Sequence, residues 1–154
     1  MARQYFDALD LTILHALTAN ARTPYLNIAR EYGVSGAAVH QRVQRLVANN
    51  VITGSHCDIN PESVGFTVVA YLGVNVLPGT NVDELAAQLA EIPEITECHI
   101  VTGRFDLIIK LQARDNADML RVIRDELHHL SIASTETMVS FREAFSRSVP
   151  IANE

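Results

Sequence analysis

The sequence predicts an α+β protein with an N-terminal winged helix-turn-helix domain and a C-terminal ferredoxin-like βαββαβ domain. Three observations carry this reading. Three short helix patterns crowd into the first 50 residues, with only Val34 between a helix-ending Gly33 and a helix-starting Ser35. Beyond the Asn60-Pro61-Glu62 turn, strand and helix patterns alternate in the order β-α-β-β-α-β. The 154 residues have room for two small domains, expected at 1–55 and 66–154 with a linker or wing at 56–65.

Each element has a local cause. Asp7 or Asp10 can cap a first helix whose apolar face is Leu11, Ile13, Leu14 and Leu17. Asn20-Ala21-Arg22-Thr23-Pro24 breaks it, with Thr23 as N-cap and Pro24 as first residue of the next helix. That helix, carrying Leu26, Ile28, Ala29 and Tyr32, stops at Gly33, which tolerates the left-handed conformation. Two helices so tightly joined must cross steeply. In the third, about residues 36–48, Val39, Val43, Leu46 and Val47 share one stripe expected to be buried. Ala37, Gln41, Gln44, Arg45 and Ala48 lie opposite, with His40 and Arg42 on the flanks. Asn49-Asn50 ends the helix, and Val51 to Ile59 reads as a short hairpin or wing.

In the second half, Phe66–Val76 is β-branched and aromatic up to Pro78-Gly79. Val82, Leu85, Ala86 and Leu89 recur at helical spacing. Strands follow at Ile95–Val101 and Phe105–Gln112, then a helix from Asp115 through Met119, Ile123 and Leu130. Thr135–Phe145 is the last strand. Both helices belong on one face of an antiparallel sheet. The first strand is apolar on both sides, so the other face calls for a cover, most simply a second copy of the chain.

Composition excludes several classes. With 48% hydrophobic and 19% charged residues the chain is neither disordered nor low-complexity. No apolar run reaches a membrane span, and Met1 to Asp7 lacks the apolar core of a signal peptide. Cys57 and Cys98 make no disulfide framework, so a cytoplasmic protein is expected. His56-Cys57 and Cys98-His99 suggest zinc, but strand neighbours point to opposite faces, and no metal site is expected. No Gly-rich phosphate loop, HExxH or GxSxG motif is present, and no enzyme is expected.

The net charge of −6 is unevenly divided: residues 1–60 carry +1 and residues 61–154 carry −7. Between Glu31 and Asp58 there is no acid, while Arg42 and Arg45 fall in that gap. A locally cationic helix on an acidic protein suggests a polyanion partner. In a major groove, Gln can pair with adenine and Arg with guanine. Gln41, Gln44, Arg45 and His40 are therefore placed toward bases, on a helix tip kept slim by Gly36, Ala37 and Ala38. Ser35, through the helix N-terminus, and Arg42, by charge, are assigned to phosphates.

Taken in order, Leu9-Asp10…Ile13-Leu14, Arg22…Ile28-Ala29, Val34-Ser35…Arg42-Val43-Gln44-Arg45-Leu46, Val51-Ile52, Asn60-Pro61…Val64-Gly65 and Val101-Thr102-Gly103-Arg104-Phe105-Asp106 resemble the Lrp/AsnC transcriptional regulators. The resemblance covers about residues 9–148. It departs at Asn50, where Gly is usual, at Val39, where Cys is common, and at Arg104, a variable position often acidic or polar. It implies a sequence-specific regulator of double-stranded DNA, a homodimer assembling to tetramers or octamers, with no cofactor. It also implies a small amino-acid effector, or a related metabolite, between subunits at Thr102, Gly103, Arg104 and Asp106, with Thr135 and Thr137 from the last strand. Backbone N–H groups near Gly103 suit a carboxylate, and Asp106 suits an ammonium. The alternatives are an amino-acid-sensing module without a DNA target and a regulator without an effector.

Overall fold

The computed structural model describes residues 5–151; the first four residues, where the leader and domain readings begin, and the last three lie outside the described residues. The chain forms two compact units. One runs to Asp58 and also takes the segment from Phe145; the other is Ile59–Ala144. The sequence reading placed everything from residue 66 onward in one domain. The last segment instead joins the first unit, where Ser148–Ile151 line a groove with Leu14, Leu17, Val47 and Ile52.

In the first unit, α1 (Ala8–Ala19) begins with a capping box: the Asp7 carboxylate accepts from the Asp10 N–H, and Asp10 accepts from the Asp7 N–H. For α2 (Tyr25–Tyr32) the N-cap is Pro24 rather than Thr23, whose hydroxyl donates to the Asn20 carbonyl instead. Gly33 is left-handed at φ 76°, and the Ser35 hydroxyl oxygen accepts from the Ala38 N–H to start α3 (Gly36–Ala48). Leu9, Ile13, Ile28, Ala29, Val39, Val43 and Leu46 close one apolar core. Val47, expected in the buried stripe, is 49% exposed, because it lies at the stripe's edge.

The expected hairpin or wing at Val51–Ile59 does not pair as strands. The Val51 and Ile52 N–H groups both donate to the Leu46 carbonyl, finishing α3, and their side chains pack half-buried on the core. Asn50 supports this turn at φ 57°, the left-handed role expected of it.

In the second unit four strands, β1 (Val68–Val76), β2 (Ile95–Ile100), β3 (Leu107–Ala113) and β4 (Ile132–Ser140), form one antiparallel sheet in the order β2-β3-β1-β4. Helices α4 (Val82–Ala90) and α5 (Asn116–Arg121) cover one face. Ala70, Leu72 and Val74 of β1 meet Leu85, Leu89, Ile92, Val122 and Leu127 there in a single core. After α5 the chain widens into a π turn, Val122–Glu126, in which the Leu127 N–H donates to the Val122 carbonyl. That five-residue step brings both buried side chains to the core, which an unbroken α-helix to Leu130 would not do.

Strand limits shift for physical reasons. β4 ends at Ser140 because its partner Val69 stands at the start of β1, and nothing beyond offers a ladder. β3 starts at Leu107 because Phe105 leaves the strand and lies over Gly73. The sheet face away from the helices carries Tyr71, Ile108, Lys110, Glu136 and Met138 in neighbouring registers. It is mixed in polarity rather than apolar: the Lys110 side chain is only 16% exposed and its Nζ meets Glu97 Oε1 at 2.9 Å.

A Cβ added at Gly73 would overlap the Phe105 ring. Gly73→Ala is therefore expected to lower stability by about 1–3 kcal/mol. In a Phe105→Ala background most of that loss should vanish. Thermal unfolding of the two single variants and the double variant checks the expectation, and strictly additive losses would contradict it.

Candidate DNA-reading helix and effector loop

The candidate DNA helix α3 presents Ala37, His40, Gln41 and Gln44 to solvent, with Ser35 exposed at its tip. The His40 ring packs against Tyr25, centroids 5.9 Å apart. Among the described residues of α3 no acid interrupts this face.

Both arginines of α3 reach across to the start of α1, although the Arg45 side chain stays 50% exposed. Arg45 Nη2 donates to Asp10 Oδ2 at 2.6 Å, and Arg42 Nη1 donates to Asp10 Oδ1 at 3.2 Å and also to the Asp7 carboxylate. Asp10 is 1% exposed and is the one buried charged residue among those described. A buried carboxylate needs partners, and α3 supplies two guanidiniums from successive turns. The base-facing role expected of Arg45 and the phosphate role expected of Arg42 thus compete with ion pairs inside the unit. The sequence reading used Asp7 and Asp10 only as caps. The missed signal is that two acids three residues apart, the N-cap and the first turn of α1, match two arginines three residues apart on α3.

Burial works to raise the Asp7 carboxyl, but the Asp10 N–H and the Arg42 guanidinium outweigh it and hold it below the ordinary value. Bonding to Asp7 raises Arg42 in turn.

The expected effector loop, Thr102 to Asp106, is exposed at Thr102, Gly103, Arg104 and Asp106, and Gly103 takes φ 117°, where a side chain would be strained. Arg104 stands 5.1 Å over the Phe105 ring and pairs with Glu136 of β4. Asp106 fastens the loop to β1: its N–H donates to the Val74 carbonyl, and its Oδ2 accepts from the Val76 N–H at 2.9 Å. Thr135 and Thr137 pair in register with Val74 and Leu72, whose side chains are buried under the helices. They share that side of the sheet, whereas Glu136 lies on the other with Gly73. The structure therefore joins Arg104, Phe105 and Glu136, and sets the two threonines apart from them.

A helix-turn-helix unit followed by a four-stranded antiparallel sheet with its helices on one face is an arrangement suited to a DNA-binding regulator. Comparison with known proteins gives the family. The model of the AsnC-type helix-turn-helix domain matches residues 6–47, and that of the Lrp/AsnC ligand binding domain matches residues 69–150. The Regulatory protein AsnC of Escherichia coli (strain K12) is 30% identical over 150 residues, covering 97% of this chain and 99% of that protein. The HTH-type transcriptional regulator Ptr1 of Methanocaldococcus jannaschii is 37% identical over 124 residues, 80% of this chain and 83% of that one. The solved structure of E. coli AsnC superposes with a TM-score of 0.87 at 30% identity, covering 95% and 99% of the two chains. A Neisseria meningitidis regulator, solved as an L-Met complex, shares the fold with a TM-score of 0.88 at 21% identity, covering 95% of this chain and 97% of that one. The chain belongs to the Lrp/AsnC family of transcriptional regulators and is not an enzyme. Among the described residues no helix is long and apolar enough to cross a membrane.

Because the Asp7 carboxyl is depressed in the fold, its stabilising effect is complete above its unfolded value and lost as pH falls through the folded one. Stability should decline between about pH 5 and pH 2, and Asp7→Asn should flatten that decline. Thermal melts across this range check it; an unchanged pH profile in the variant would contradict it.

Proposed function

We propose that α3 enters the DNA major groove with Ala37, Gln41 and Gln44 toward the bases, His40 at their edge and Ser35 near a phosphate. The observation that carries the reading is the exposed, acid-free face of a helix whose two arginines are drawn aside by α1. Uncharged amides then do the reading, each able to pair two ways with adenine. The protein works as a homodimer or larger assembly, which presents paired recognition helices to a near-palindromic site. Such a regulator acts in the cytoplasm, on the nucleoid.

The second unit senses a free amino acid, or a close relative of one, at the Thr102–Asp106 loop. Its chemistry supports a zwitterion: Arg104 and Glu136 already form a cation–anion pair at the surface. A ligand's carboxylate can take Arg104 while its ammonium takes Glu136 or the remaining oxygen of Asp106. The L-Met bound by the Neisseria relative is a ligand of this kind. Thr135 and Thr137 serve this site only through an edge of the sheet or a second copy of the chain.

Gln41→Ala and Gln44→Ala should each weaken a selected duplex by about 1–3 kcal/mol while leaving a scrambled duplex unaffected, as read by fluorescence anisotropy. Equal losses on both duplexes would remove the base-reading role. Light scattering on the full chain should return a multiple of its 17.0 kDa mass. Calorimetry with the twenty amino acids should find one that binds. Glu136→Gln should weaken that amino acid by about 1.5–3 kcal/mol, the typical worth of a hydrogen bond to a charged group. Heat from none of the twenty would favour a regulator that senses no amino acid.

A further inference from the structure

We propose that Asp10 is a positioning residue for DNA recognition: it sets the roll of α3 about its own axis and keeps Arg42 and Arg45 off the DNA. This rests on the reading of α3 as the DNA helix and goes further, naming what orients it. At about 100° per residue, with Val39 pointing inward, Arg42 and Arg45 fall about 60° and 120° round one side of the helix. Ala37, Gln41 and Gln44 fall within about 40° of the outward direction. Which of these rows faces outward depends on the roll, and the roll needs a directional restraint.

The apolar stripe supplies little of that direction. Burial of Val39, Val43 and Leu46 is proportional to area and tolerates a small rotation. Charge-assisted hydrogen bonds do not, because they fix distance and angle. Asp10 spends one oxygen on each guanidinium, Oδ1 on Arg42 at 3.2 Å and Oδ2 on Arg45 at 2.6 Å. Two attachments one turn apart along α3, both ending on one buried carboxylate of α1, hold the helix against rolling either way. The same Oδ2 accepts the Asp7 N–H at 3.3 Å, so the anchor is itself tied into the first turn of α1.

The arrangement also predicts which cations stay home. Moving Arg45 to a phosphate would strip a buried anion of its shortest bond, a larger loss than an exposed phosphate contact returns. Arg42 is shared between Asp10 and the more exposed Asp7, and is held for the same reason. Phosphate attraction then falls to the exposed Arg22 and Arg30 outside α3.

The test uses the full chain, a duplex selected from a random pool by the wild-type protein, and a scrambled version of that duplex. Affinities are measured against salt concentration for wild type, Arg45→Met and Asp10→Asn. Arg45→Met should reduce the preference for the selected duplex roughly tenfold while leaving the slope of log K against log salt unchanged. Asp10→Asn should release the guanidiniums: scrambled DNA binds more tightly, the slope steepens by about one to two, and preference falls. A slope in Arg45→Met shallower by about one would place Arg45 on a phosphate and overturn the proposal, with α3 still the DNA helix. So would an Asp10→Asn variant indistinguishable from wild type. If Asp10→Asn does not fold, the base-pair profile of Arg45→Met decides: preference should relax across all the positions that Gln41 and Gln44 read, whereas a loss confined to one guanine would place Arg45 on that base and overturn the proposal. Failure of the wild-type protein to enrich any duplex from the pool would remove the DNA reading of α3 itself.

Discussion

A carboxylate taken out of water is tolerated only where positive charge and N–H groups replace the water, and in the DNA-binding unit that constraint falls on Asp10. Its solution is specific. One oxygen pair closes the capping box of α1 and takes both guanidiniums of α3, so the start of one helix and the middle of another share an anchor. The outward row of α3 follows from this. Ala37, Gln41 and Gln44 face solvent because the arginines beside them are turned aside, and the apolar stripe behind is left to Val39, Val43 and Leu46.

The sheet unit solves a similar problem with backbone groups rather than charge. The loop before β3 would be loosely held if its only support were a turn. Asp106 ties it to β1 twice, through its own N–H and through a carboxylate that satisfies the Val76 N–H. Phe105 adds an apolar seat, available only because Gly73 has no side chain. With the loop pinned at these points, Arg104 reaches Glu136 on β4, and Thr102, Gly103, Arg104 and Asp106 stay exposed on either side of the half-buried Phe105.

Much of this was legible from local chemistry. Asp7, Gly33, Ser35, Asn50 and Asp115 act at helix ends in the ways their side chains or backbone freedom dictate, and the order of strands and helices along the chain follows from periodicity. What was not legible depended on partners distant in sequence. Arg42 and Arg45 find acids more than 30 residues away. Phe105 abandons a strand for a gap at Gly73. The π turn after α5 serves a core whose spacing is set by the sheet, and Val51 and Ile52 choose the end of α3 over a hairpin. In each case a tertiary contact, not the local pattern, set the outcome.

The site also sets a limit on what one chain can do alone. On the proposed reading, two glutamines, each worth about 1–3 kcal/mol of discrimination, give roughly 2–6 kcal/mol per helix. Distinguishing one operator from about a million competing sites takes some 8 kcal/mol, at 1.4 kcal/mol per tenfold. Electrostatics cannot make up the difference, since phosphate attraction is blind to sequence and the arginines of α3 are neutralised by α1. The first 60 residues carry only +1, and the remainder carries −7. The proposed dimer doubles the discrimination to about 4–12 kcal/mol, a range that reaches the requirement where a single helix does not. Regulation can then be exerted at a distance from the DNA. A ligand that shifts assembly changes how many helices engage one duplex, and so changes affinity without touching α3.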